Sequence, residues 1–297
     1  KNNISINILN MKFSIIIPTF NNFNHVKLCI DSINKNSSFN HEIIVHINGT
    51  DNLTEQYVKE NNYLYTSTQI NVGLCTGVNM AAKKSTTDYI VYAHDDMYFL
   101  PKWDEHLIDE INIINHKQFY LSMTQISHKK GVKGNLQHIY FDCGSNLNNF
   151  DEDKLLDNYS KFEFRDLQGS HWAPHIMHKE IWDKVSGFSE EFNPGFASDP
   201  DLNMKLWNIG VRIFKGVSLS RVYHFGSLTT RNNKKIIPNN GKIVFLLKWK
   251  FTVEFFTKHF LKRGSTFDGP LKSPTRNFIY FFDLFFVKLK YFINFLK

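Results

Sequence analysis

Four groups of residues in this chain combine chemistry-bearing side chains with an adjoining apolar segment that could hold them in place. The first is Asp95-Asp96, which follows His94 at the end of the apolar run 88–93. Two adjacent carboxylates repel each other, so they call for a positive partner. A hard divalent cation carrying substrate phosphates meets that need: Mg²⁺ takes one or two carboxylates plus phosphate oxygens and water, and Mn²⁺ suits the same oxygens. A solvated acidic loop is the structural alternative. The second group is Asn71-Val-Gly-Leu-Cys-Thr-Gly-Val-Asn79. Its glycines allow close backbone approach to a ligand just before a helix, although a plain capped loop would look the same. In the third, Ser198-Asp-Pro-Asp201, one acid caps a helix readily. Asp199 and Asp201 stand at i and i+2 and so point apart, which leaves one of them to face a cleft. The fourth is His224, closing a short strand; a lone histidine serves structure more often than ligation.

The elements around these residues alternate at short intervals. Strands are expected over 12–18, 42–47, 63–67 and 88–93, with helices over 26–33, 54–61 and 77–84, from β-branched runs and helical spacing of apolar residues. Such alternation specifies an α/β fold, a mostly parallel sheet with helices on both faces. Ligands of these sheets sit beyond the carboxyl ends of the strands. There the sequence places Thr19 to Asn21, Asn48 to Asp51 and His94 to Asp96. The middle region is less regular. It reads as helix 104–114, strand 118–126, a polar loop over 147–161, helices 180–185 and 199–209, and two strands, 211–214 and 221–224. No internal repeat is found.

The 297 residues are 42% hydrophobic and 21% charged, which excludes disorder and collagen-like classes. Residues 226–297 carry 14 Lys/Arg against 3 Asp/Glu, whereas residues 1–225 carry 21 against 25, so the basic charge belongs to the C-terminal region. Cys29, Cys75 and Cys143 form no disulfide framework or CxxC site, and a reducing, cytoplasmic compartment is expected. No apolar run approaches the ~20 residues of a spanning helix. Residues 1–10 read as an Asn-rich extension before the first strand.

Taken together, the chain resembles the family 2 glycosyltransferases over roughly residues 12–226. The resemblance rests on Ile15-Ile-Ile-Pro-Thr-Phe-Asn21, Asn48-Gly-Thr-Asp51, Asn71-Val-Gly73 with Asn79, and Tyr89-Ile-Val-Tyr-Ala-His-Asp-Asp96 followed by Pro101-Lys-Trp103. It continues in Gly187-Phe-Ser-Glu-Glu-Phe192, Ser198-Asp-Pro-Asp-Leu202 and His224-Phe-Gly-Ser227. Each motif is weak alone, and their shared order is strong. The resemblance implies a GT-A, Rossmann-like domain over 11–226, with a nucleotide-sugar half (about 11–103) and an acceptor half (about 104–226). It implies an inverting transfer from a nucleotide-diphosphate sugar to a glycan or lipid-linked acceptor, as in polysaccharide biosynthesis, assisted by Mn²⁺ or Mg²⁺. Thr19, Asn21, Asn48, Asn71, Gly73, Asn79 and Asp95 would then bind the nucleotide sugar. Asp96 and His224 would hold the metal, and Asp199 would be the general base. Three departures stand out. Asn48 lies where an acidic residue usually reads the base, His94 replaces the first acid of the Asp-x-Asp pattern, and Ser198 replaces a Glu. The alternatives are an inactive binding or assembly module and a nucleotidyltransferase. The second would bring a basic, Gly-rich loop after the first strand, and 19–25 contains no Gly, Lys or Arg. A nucleic-acid partner is not expected.

The C-terminal region, 227–297, reads as helical. On a helical wheel of 277–297, Phe278, Phe282, Phe285, Phe286, Leu289 and Phe292 share an apolar face with three further Ile and Leu residues. Such a helix is expected to lie in a membrane interface rather than span it. Upstream, Lys248, Lys250, Lys258, Lys262 and Arg263 interleave with Trp249, Phe251, Phe255, Phe256 and Phe260. These are expected to add attraction to an anionic membrane surface. The competing cover for the same face is the catalytic domain or another subunit of a homo-oligomer.

Overall fold

Strand β1, Phe13–Thr19, is buried along its whole length, as a β-branched run covered on both faces must be. It pairs in parallel with β2 (Glu42–Ile47) on one side and with β4 (Tyr89–Tyr92) on the other. β3 (Leu64–Ser67) adds to β2, again in parallel. Because all four run the same way, their carboxyl ends open along one edge of the sheet. The connecting helices are α1 (Phe23–Asn36), α2 (Asn52–Glu60) and α3 (Leu74–Ala82). The computed structural model describes residues 11–130, 138–226 and 239–296. The expected extension at 1–10 lies outside them.

Beyond β4 the sheet changes character. β9 (His175–His178) runs antiparallel to both β4 and β6 (Phe119–Ser127), and so stitches the two halves together. β6 then pairs in parallel with β10 (Ile213–His224), and β5 (Met97–Phe99) closes that edge antiparallel. Short strands β7 (His138–Tyr140) and β8 (Leu167–Gln168) pair with β6 and β10. Helices α4 (Trp103–Ile114), α6 (Lys179–Lys184) and α7 (Ser198–Asn208) belong to this half. The expectation of a mostly parallel sheet therefore describes the first half fully, while β9, β5 and β8 make the second half mixed.

Two local expectations are corrected. The segment 147–161 is not a loop: it forms a short helix, α5 (Glu152–Asn158), flanked by 3₁₀ turns. Asp151 caps α5 by accepting from Lys154 N. The strands expected at 211–214 and 221–224 are one strand, β10, with a register shift between Val217 and Arg221. Its bulged serines and Gly216 broke the apolar pattern without breaking the strand.

The C-terminal region divides in two. Helix α8 (Gly241–Trp249) and the turns at 253–260 place Phe245, Phe256 and Leu261 in the main core. Trp249, Phe251 and Phe260 pack against it. The aromatic rings of this upstream stretch are thus occupied inside the protein and do not form a membrane-facing surface, while Lys250, Lys258, Lys262 and Arg263 remain exposed. The last helix, α9 (Phe278–Phe295), touches the rest through Tyr280, Leu284, Val287 and Tyr291, which meet Leu246 and Phe255.

Candidate active site

At the end of β1 the backbone turns through Asn21, whose φ of 49° is left-handed, and this brings Asn22 back over the sheet edge. Thr19 Oγ1 donates to Asp95 Oδ2 at 2.7 Å, and Asn22 Nδ2 donates to the same oxygen at 3.0 Å. Asp95 is buried, and its pKa is raised, by burial first and by the neighbouring Asp96 second; the two hydrogen bonds act against that rise. The adjacent carboxylates therefore do not escape into solvent, and something must offset their charge.

That offset is visible at Asp96. His224, at the end of β10, has Nε2 3.3 Å from Asp96 Oδ1 and Nδ1 3.1 Å from Gln125 Oε1. Because the amide oxygen accepts, Nδ1 carries a hydrogen, and this bond fixes the ring with Nε2 toward the carboxylate. This buried Nε2 has no hydrogen-bond partner. His94 completes the group: its ring centroid is 5.5 Å from that of His224. One ligand atom each from His94, Asp96 and His224 lies within 4.8 Å of the others. Burial, then His224, lowers the His94 pKa to about 4, so His94 is neutral at pH 7 and able to ligate. Two imidazole nitrogens and a carboxylate oxygen gathered this closely are a donor set that fits a divalent ion. Two nitrogens and one oxygen suit Mn²⁺ better than Mg²⁺, which prefers oxygen. The replacement of an acid by His94 thus changes the donor set and keeps the seat.

Asp199 lies on α7 just beyond the left-handed Ala197. The residue is half-buried, yet its Oδ1 is shut off from water and has no hydrogen-bond partner among the described residues. Burial alone pushes its pKa up to about 7. The buried Tyr92 connects the two centres. Its ring is 5.5 Å from that of His94, and its hydroxyl pKa is raised by burial, then by Asp199, with a smaller contribution from Asp95. Asp201 is the opposite case. It is fully buried and accepts from Ser189 Oγ at 2.6 Å and Trp249 Nε1 at 2.7 Å, with Lys248 Nζ at 2.9 Å. Of the two acids on α7, Asp201 fastens the helix and Asp199 is left available.

The remaining expected residues are placed as follows. Asn21 lines a hollow of about 580 Å³ between the 21–25 turn and residues 50–53, at the carboxyl ends of β1 and β2. Asn22 also lines it and so joins it to Asp95. Asn48 accepts from Val72 N and donates to Gly73 O, which commits its amide to the 71–73 turn. Asn71 accepts from Gly73 N. A side chain at Gly73, where φ is 88°, would strike Asn193. Asn193 itself caps α3 by accepting from Cys75 N. Asn79 is bonded at both ends of its amide to the backbone of Phe188. The geometry therefore gathers Thr19, Asp95, Asp96 and His224, leaves Asp199 close enough to Tyr92 to raise its pKa, and gives Asn48 and Asn79 clamping contacts. Sequence reasoning missed Asn22, Gln125 and the ligand character of His94. Only His94 carried a local signal, its place beside Asp95-Asp96.

Comparison with known proteins bears on the family and the fold. The family model described as Glycosyl transferase family 2 matches residues 14–174. No curated protein sequence matches significantly. Among solved structures, S. aureus TarS 1-349 is similar with a TM-score of 0.53 and 17% identity, over 72% of this chain and 60% of that one. Its complex with UDP-GlcNAc gives 0.53 and 16%, over 72% and 58%. GalNAc-T7 with UDP, GalNAc and Mn²⁺ gives 0.55 and 13%, over 73% and 44%. The chain thus spans less than two thirds of each of these structures, and at such identities the likeness shows the fold, that of GT-A glycosyltransferases. With more than half of its length matched by the family model, this chain belongs to glycosyl transferase family 2.

Proposed function

We propose that the protein transfers a sugar from a nucleotide-diphosphate sugar to a hydroxyl of a glycan or lipid-linked saccharide, with inversion, as a hexosyltransferase of polysaccharide biosynthesis. The observation that carries this reading is the contrast between the buried Oδ1 of Asp199, unpartnered among the described residues, and the His94–Asp96–His224 cluster, with Tyr92 near both. A carboxylate without a hydrogen-bond donor and with a pKa near 7 is a competent general base. Asp199 takes the proton of the acceptor hydroxyl as that oxygen bonds to the anomeric carbon. The bond from that carbon to the diphosphate breaks on the opposite face, and its electron pair leaves on the phosphate oxygen. A divalent ion, Mn²⁺ in preference to Mg²⁺, held by His94, Asp96 and His224 would supply neutralisation of the diphosphate charge.

Thr19 and Asn22 hold Asp95 beside this seat, and the hollow at 21–25 and 50–53 has the size and place for a nucleoside. UDP and UDP-GlcNAc in the similar structures support uridine nucleotides as the first donors to try. Asn48, whose amide is spent on the 71–73 turn, holds that turn rather than reading the base. A cytoplasmic location at the membrane periphery matches a lipid-linked acceptor. The test is a panel of nucleotide sugars, scored by thermal stabilisation and nucleotide release with and without Mn²⁺. Stabilisation and release for one donor, both dependent on the ion, are expected. No stabilisation by any nucleotide sugar would contradict the reading.

A further inference from the structure

We propose that α9 lies flat on an anionic lipid surface, with its phenylalanine-rich side in the apolar layer and Lys288 and Lys290 on its flanks. The proposal is independent of the reaction assigned above. The face that meets the protein is Tyr280, Leu284, Val287 and Tyr291. At about 100° of rotation per residue, the middle of the apolar side lies roughly opposite that face. The residues there are exposed: Phe278 by 82%, Phe285 by 63%, Phe292 by 60% and Phe282 by 53%. So large an unbroken apolar side marks an interaction surface rather than scattered surface residues.

Charge identifies the occupant. Asp283 is the sole acid of α9, and Lys258 Nζ and His259 Nε2 hold it at 2.6 and 2.7 Å. Lys288 is exposed and, among the described residues, has no carboxylate partner. In azimuth it stands between Phe281 and Phe295 on one flank of the apolar side, while Lys290 stands beside Ile279 on the other. Long basic side chains at both borders can reach a layer of anionic headgroups while the rings enter the acyl boundary. A seam with one partner helix would use a narrow stripe, whereas the exposed apolar arc extends over roughly half of the helix circumference. A second copy of α9 would leave several of these rings in water. Among the described residues no helix is long and apolar enough to cross a membrane, so the helix rests in the interface.

The test is flotation of the full chain with vesicles of phosphatidylglycerol and phosphatidylcholine, compared with phosphatidylcholine alone. Wild type is expected to float with the anionic vesicles and weakly with the neutral ones. The double variants Phe282→Ser/Phe286→Ser and Lys288→Glu/Lys290→Glu should each bind anionic vesicles about tenfold or more weakly. Thermal unfolding of the phenylalanine pair should match wild type, because these side chains point away from the packed face, and far-UV circular dichroism checks that the lysine pair is folded. Folded wild type that stays with the unbound protein overturns the proposal. So does a concentration-dependent dimer that the phenylalanine substitutions dissolve, since that would assign the face to a second copy.

Discussion

Asp96 and Asp199 are the same functional group in opposite surroundings. Asp96 sits against an imidazole at 3.3 Å, with a second carboxylate next to it and a second histidine nearby. Asp199 has an oxygen closed off from water and no donor at all, which is why burial alone governs its pKa. Environments that drive two carboxylates apart assign them different work. In the proposed reaction the first would share positive charge, and the second would accept a proton. Asp201, two residues from Asp199, shows what a purely structural acid looks like here, with three donors around a buried carboxylate.

Removing the carboxylate of the cation seat should have the largest effect. Asp96→Ala is expected to lose several kcal/mol of transition-state stabilisation, on the order of a thousandfold in rate. Mn²⁺ affinity measured by calorimetry should fall with it. Full activity of this variant in the presence of a chelator would remove the cation from the account. Next, Lys248→Met strips Asp201 of its cation, and about 2–3 kcal/mol of stability should be lost in urea unfolding, because a buried carboxylate keeps its charge with fewer partners. An unchanged midpoint would make α8 a bystander to α7.

The pH dependence of stability sharpens the contrast further. The folded pKa of Asp199, about 7, lies above its unfolded value. The folded state therefore binds more protons between roughly pH 4 and 7, and stability falls as pH rises through that window. Asp199→Asn should abolish this contribution. The variant should be more stable than wild type by roughly 1–3 kcal/mol at pH 8 and no more stable near pH 4. Equal stability at both values would mean that Asp199 Oδ1 has a partner after all. The smallest effect is expected at Asn48: Asn48→Ala should cost about 1 kcal/mol through its lost bonds to Val72 and Gly73. A complete change of nucleotide preference in that variant would show that Asn48 reads the base.

The ends of β1, β4 and β10 were legible because an apolar strand that stops on Thr19, Asp95 or His224 exposes polar residues where a parallel sheet keeps its ligands. Asp199 was legible through its motif. Gln125 was not, since it approaches His224 only through the register in which it pairs with Val222. The same limit applies to Asn48 and Asn79: in sequence an asparagine looks identical whether its amide meets a ligand or the backbone. In the C-terminal region the amphipathic pattern identified both aromatic stretches. It could not tell that Trp249 would donate to Asp201 while Phe285 would stay in solvent, because that depends on which surfaces the catalytic domain leaves uncovered.

The most direct test of the account compares wild type with Asp199→Asn for donor binding and turnover, using the nucleotide sugar that stabilises the wild-type protein in the presence of Mn²⁺. The account predicts donor affinity within about threefold of wild type and turnover lower by roughly 10²–10⁴-fold. It is contradicted if donor affinity collapses while the rate per bound complex is normal, or if the variant turns over as fast as wild type.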